Sequence, residues 1–239
     1  MTFFPVLNSP TTAYSVQPGC GFLDPRYYAS ERAVHPAVDF NAVTGADTDL
    51  GDPVYAADDG VVIDVAWGSY IGGIIEILHD DGSISGYWHE RDIHVRKGQR
   101  VKAGDMIGQM GKGALLDMKA HCHFYVKKAG VQLPSDYWVS KFISDRGRAE
   151  AFVRENYHEP LGWLTARGAS KRLSDLQALR NDPTRVLVFR ADQPTEITGQ
   201  LSPFPDYGVT LDGRGSTVRL YLNPKPQPTD IPVTPPTGN

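Results

Sequence analysis

The chain has 239 residues, 41% of them hydrophobic and 22% charged, with a formal net charge of -4 and a pI near 6.0. That balance suits a globular protein with one full domain and a smaller appendage, and it excludes a chain disordered over most of its length. It offers no global positive field for nucleic acid or an anionic membrane, and no apolar run approaches the roughly 20 residues that cross a bilayer.

The N-terminal "MTFFPVLNSPTTAYSVQPGCG" lacks a basic segment followed by an apolar stretch of about 7–15 residues, so no ordinary export signal is expected. Residues 1–30 are poor in periodicity and rich in turn formers (Pro5, Pro10, Pro18, Gly19, Gly21, Pro25), which predicts an extended N-terminal arm lying on a domain. From "HPAVDFN" to about residue 140 the texture changes to short β-type runs: "PVYAADDGVVIDVAW", "GGIIEILHDDGSISGYWH", "GQRVKAGDMIGQMG" and "HCHFYVKKAG". Asp59-Gly60, Asp81-Gly82 and Lys97-Gly98 separate them as turn signals. The spacing predicts a mainly β fold, an antiparallel sheet or sandwich over residues 31–140.

Beyond residue 140, "SKFISDRGRAEAFVRENYH" and "SKRLSDLQALR" carry apolar residues at helical separations (Phe142, Ile143, Phe152, Val153; Leu173, Leu176, Leu179), and Asn181-Asp182-Pro183 stops the second. "RVLVF", "GVTL" and "TVRLYLN" read as strands, so residues 141–222 form a helical and small β appendage. Residues 223–239, with six prolines in 17 residues, cannot keep a ladder and read as a flexible tail.

Among seven histidines, three patterns stand out: His35-x-x-x-Asp39, His89 in "GYWHE", and His121-x-His123. Residues i and i+2 of a strand face the same way, so His121 and His123 can converge on one metal, or one can bind it while the other reaches a metal-bound water. Cys122 then faces away and reads as a small buried apolar residue. Cys20 and Cys122 form neither a CxxC motif nor a disulfide framework. His35 and Asp39 would stand about 13 Å apart in a straight strand, too far for a shared ion, so the chain must turn between them, and Pro36 supports a bend. Two imidazoles and a carboxylate are a common catalytic zinc set with the fourth position left to water. Taken singly, each pattern is ordinary; His79, His94 and His158, among charged neighbours, read as solvated.

The order of these features changes the reading. HxxxD, then "PVYAADDGVV", "GGIIEILHDDGSISGYWH", "VRKGQRVKAGDMIGQMG" and "HCHF" resembles the lysostaphin/LytM-type zinc metallopeptidases over about residues 35–135. The match includes the G-x-P-V-x-A-x-x-x-G-x-V run beginning at Gly51 and the V-x-x-G-x-x-V-x-x-G turn from Val95 to Gly104. The resemblance implies Zn2+ held by His35, Asp39 and His123, with His89 and His121 as catalytic histidines that do not bind the metal. Ala37, Glu90 and Cys122 depart from that pattern, which bears on subsite preference more than on chemistry. Tyr87 and Trp88 are candidates for groove lining, with core packing expected of at least one because neighbours on a strand face opposite ways.

The resemblance further implies an endopeptidase acting on peptidoglycan stem peptides or cross-bridges at the bacterial cell wall. Without an export signal, a phage lysin held in the host cytoplasm before release, or a virion-associated lytic protein, is one expected setting, weighed evenly against a cellular enzyme whose signal has been removed. The alternatives are a non-catalytic wall-binding or scaffold protein of the same fold, and a wall-targeting role for residues 141–222, where residues 141–180 hold eight Lys/Arg against five Asp/Glu.

Overall fold

A computed structural model describes residues 1–68, 71–113 and 118–180, together with the backbone of residues 187–190, 207–214 and 217–224. It is mainly β and divides into two units, Met1–Leu176 and Gln177–Asn239. The first opens with β1 (Phe3–Asn8), β2 (Tyr14–Val16), α1 (Pro25–Glu31) and β3 (Ala37–Ala42). A run of short strands follows: β4 (Pro53–Tyr55), β5 (Gly60–Gly68), β6 (Gly72–Leu78), β7 (Ile84–Ile93), β8 (Arg100–Val101), β9 (Met106–Met110) and β10 (Cys122–Lys127). It closes with α2 (Arg146–Asn156), β11 (Tyr157–His158), α3 (Pro160–Ala166), β12 (Ser170–Arg172) and α4 (Leu173–Arg180), the last crossing into the second unit.

The large antiparallel sheet runs in the order β2-β3-β10-β7-β6-β5-β8, with β9 also on β7, β4 on β9 and β11 on β10. Central strands are buried on both sides: β10, "CHFYVK", is buried throughout, and β6, "GGIIEIL", at every residue but its last. Both faces must therefore be covered. One packs Phe40, Tyr87 and Phe124 against Phe4 of β1. The other packs Trp88 and Tyr125 against Val139 and the α2 residues Ala149 and Val153.

Two expectations change here. Residues 1–30 do more than lie on the surface as an arm: Phe3, Phe4, Val6 and Leu7 are buried, and β1 pairs in parallel with β12. The unit also ends at Leu176 rather than at residue 140, because Val153 and Tyr157 complete the core that holds Trp88. Phe142 and Ile143 precede the helix expected to contain them; Asp145 accepts a hydrogen bond from Arg148 N and starts α2 at Arg146. In the second unit, β13 (Leu187–Arg190), β15 (Thr217–Pro224) and β14 (Tyr207–Arg214) form an antiparallel sheet in that order, where the sequence placed strands. Residues 225–239 of the expected tail lie outside the described residues.

Candidate metal centre

Antiparallel pairing of β3 with β10 sets Asp39 directly opposite His123, so their side chains share one face at cross-strand contact distance. His35 stands two residues before β3, where the chain enters the strand. Its ring is completely buried, with Nδ1 3.2 Å from the Gly21 carbonyl and Tyr27 stacked on it at 4.2 Å and 13°. Helix α1 supplies that tyrosine: Asp24 caps it, Pro25 opens it, and Arg32 ends it in a left-handed conformation.

Three atoms converge. His35 Nε2 lies 3.2 Å from His123 Nδ1 and 3.3 Å from Asp39 Oδ1, and His123 Nδ1 lies 3.0 Å from Asp39 Oδ1. Ligands at about 2.0–2.1 Å from a tetrahedral zinc stand roughly 3.3 Å from one another, so the triangle fits that ion. Donation of Nδ1–H to Gly21 directs the Nε2 lone pair of His35 into the triangle. Among the described residues, this is the one grouping of His, Cys, Asp or Glu with metal-binding geometry.

Protonation states agree with that use. Burial works against the charge on Asp39, yet the fields of His35 and His121 and hydrogen bonds from His123 and His35 hold its carboxyl well below the usual range. Burial depresses His123 to about 4 despite its hydrogen bond to Asp39. At neutral pH the set is one carboxylate with an unprotonated His123, so a metal meets little competition from protons there.

His89 and His121 stand beside the triangle, their rings 4.5 Å apart. His121 Nδ1 is 2.7 Å from the Lys119 carbonyl, and its Nε2 lies 3.9 Å from Asp39 Oδ1. His89 Nδ1 is 2.7 Å from the Ile71 carbonyl. Each ring donates Nδ1–H to a carbonyl and leaves Nε2 as its free nitrogen. Burial, then the fields of His121 and His123, push His89 well below the ordinary histidine value, so it is neutral at pH 7.

His89 adopts φ 72°, a left-handed conformation rare outside glycine, beside irregular pairing of β7 with β6 and β9. Strand alternation breaks there, and two consecutive side chains reach the site: the His89 ring lies 5.7 Å from His123, and Trp88 stacks on His123 at 4.8 Å and 14°. Tyr87 does not reach it. It points to the far face, fully buried, with its hydroxyl accepting from Ala57 N at 2.8 Å. Trp88 is 4% exposed and walls His123 rather than lining an open groove. Cys122 is buried and unpaired on the opposite face, as its strand position predicts. Sequence reading missed Tyr27 and Trp138; the latter lies 6.3 Å from His35 and 6.1 Å from His123. Only the Asp24-Pro25 helix start hinted at Tyr27.

Glu90, next to His89, is 1% exposed, and both its carboxyl oxygens lack hydrogen bonds. A Cβ at position 108 would meet its Oε2 at 2.5 Å, so the carboxyl packs against Gly108. Burial pushes this carboxyl well above the ordinary 4.5. The folded chain then keeps the proton to higher pH than the unfolded one, and stability from this group, complete below pH 4.5, drains as pH rises. Glu90→Leu is expected to add about 1–3 kcal/mol at pH 8, roughly 2–12 °C in Tm, and much less at pH 4.5. Thermal unfolding across that range checks it, and a gain that shrinks with rising pH would refute it.

The model of peptidase family M23 matches residues 33–134. Lipoprotein NlpD of Yersinia enterocolitica is 34% identical over 83 residues, 34% of this chain and 84% of that protein. Peptidoglycan DD-endopeptidase ShyC of Vibrio cholerae is 31% identical over 140 residues, 52% of this chain and 32% of that protein. A solved catalytic domain of the antimicrobial peptidase lysostaphin from Staphylococcus simulans aligns with a TM-score of 0.40 at 24% identity, covering 55% of this chain and 80% of that one. The chain spans well under half the length of the first curated relatives it matches.

Proposed function

Because the chain belongs to peptidase family M23, we propose that it is a zinc-dependent endopeptidase hydrolysing peptide bonds of bacterial peptidoglycan, in the stem peptide or the cross-bridge. The observation that carries this reading is the convergence of His35 Nε2, Asp39 Oδ1 and His123 Nδ1, with two further histidines beside them. ShyC, a relative named as a peptidoglycan DD-endopeptidase, supports the substrate class.

When bound, zinc lowers the pKa of a coordinated water to about 7 and polarises a carbonyl. The side chains divide the remaining work. His89, neutral and anchored through Nδ1 to Ile71, offers Nε2 to take a proton from the attacking water and return it to the leaving amine. His121, anchored to Lys119, offers its own Nε2 beside Asp39, in place to share proton transfer or to stabilise developing negative charge. Asp39 keeps its charge and balances the cation.

The test is digestion of defined muropeptides by the zinc-loaded protein, read by mass. New peptide termini are expected, lost with a chelator and restored by zinc, along with one zinc per chain by elemental analysis. Intact muropeptides in the presence of bound zinc would instead assign the fold a wall-binding or scaffold role. The bacterial wall is the proposed place of action; no described helix is long and apolar enough to cross a membrane.

A further inference from the structure

We propose that Trp88 is the positioning residue that holds His123 in its metal-binding orientation by ring stacking, in place of the hydrogen bond that usually does so. The inference rests on the zinc reading of the site. A metal-ligating imidazole ordinarily donates its second N–H to a carboxylate, carbonyl or water, which sets both tautomer and ring angle. His123 has no such partner: with Nδ1 turned to His35 and Asp39, its Nε2 is buried and without a hydrogen bond. Aromatic faces surround it instead. Trp88 lies parallel to the imidazole at 4.8 Å and 14°, while Trp138 and Tyr125 meet it at 53° and 67°, with centroids 6.1 Å away in both cases.

An indole can only orient a neighbour if it is itself fixed. Trp88 Nε1–H donates to the Ser135 carbonyl at 2.9 Å, and Tyr125 Oη lies 3.0 Å from the same oxygen. The Ser135 hydroxyl donates to Asp64 at 2.5 Å, and Lys127 donates to the carbonyls of Leu133 and Pro134, so the segment that holds Trp88 is tied to the sheet on both sides. With Nδ1 turned to a bound metal, Nε2 would carry the proton in the imidazole plane, where no hydrogen-bond acceptor meets it, and the stacked indole fixes the ring angle instead.

The test compares Trp88→Leu, which keeps apolar bulk without a ring face, with Trp88→Phe, which keeps the face. Zinc affinity is measured by competition with a chromophoric chelator on the full chain, and folding by circular dichroism. Folded Trp88→Leu is expected to bind zinc about 10- to 100-fold more weakly, as when the usual hydrogen-bonding partner of a ligand is removed, and Trp88→Phe to stay close to the parent. Equal affinities for the two variants would overturn the proposal. This readout is independent of turnover. A protein that binds zinc through an oriented His123 yet cleaves no muropeptide would disprove the proposed activity and leave this inference standing.

Discussion

Replacing His123 with alanine is expected to abolish stoichiometric zinc and, with it, hydrolysis, whereas replacing His89 is expected to abolish most hydrolysis and leave zinc in place. The difference follows from which atoms converge. His123 supplies one of three corners of a triangle whose edges are 3.0–3.3 Å, and its loss leaves two ligands, too few for a catalytic zinc site. His89 is outside that triangle, its Nδ1 committed to the Ile71 carbonyl. Its removal takes away a proton acceptor, an effect of about 10²- to 10⁴-fold on rate. Elemental analysis and muropeptide digestion on the same two preparations decide the matter. Full hydrolysis by the His123 variant would sink the enzymatic reading, and loss of zinc from the His89 variant would contradict the division of roles between the two histidines.

The second large effect lies under the site. Lys127 is 1% exposed, with Nζ 2.5 Å from Glu76 Oε1, and Tyr125 donates to the same oxygen at 2.6 Å. The tyrosine can lie over the sheet because position 86 is glycine: a Cβ there would fall 2.0 Å from the ring. Glu76→Ala would leave a buried ammonium without its countercharge, a loss of about 3–5 kcal/mol, or roughly 6–20 °C in Tm for a domain of this size. Glu76→Leu combined with Lys127→Met removes both charges and is expected to recover most of that loss, because a paired buried charge adds little beyond well-packed apolar groups. Thermal unfolding of the single and double variants measures it. A double variant as unstable as Glu76→Ala would mean that packing, rather than the stranded charge, carries the cost.

Much of the site was legible because its signals are local. The period-two alternation of "HCHF" puts His121 and His123 on one face and Cys122 on the other, and β10 does so. The bend required between His35 and Asp39 is present, since the two side chains meet although a straight strand would hold them apart. Composition and alternation fell short where tertiary contact decides. Both Trp88 and His89 turn into the site because of the left-handed backbone at His89, which no strand period shows. Turn-forming residues suggested a surface arm over residues 1–30, yet Phe3, Phe4, Val6 and Leu7 are core, and α1 brings Tyr27 onto His35.

By itself, then, the sequence determined the β architecture, the identity of the residues that meet at the centre and the chemistry their side chains permit, because residue type and strand period are properties of short segments. The tertiary structure decided what surrounds them. The carbonyls of Gly21 and Ile71 that orient His35 and His89, the indole that lies flat on His123, and the helices past residue 140 that close the core come from distant segments. No local pattern encodes them, since which carbonyl or ring reaches a histidine depends on how the sheet and its covering layers pack.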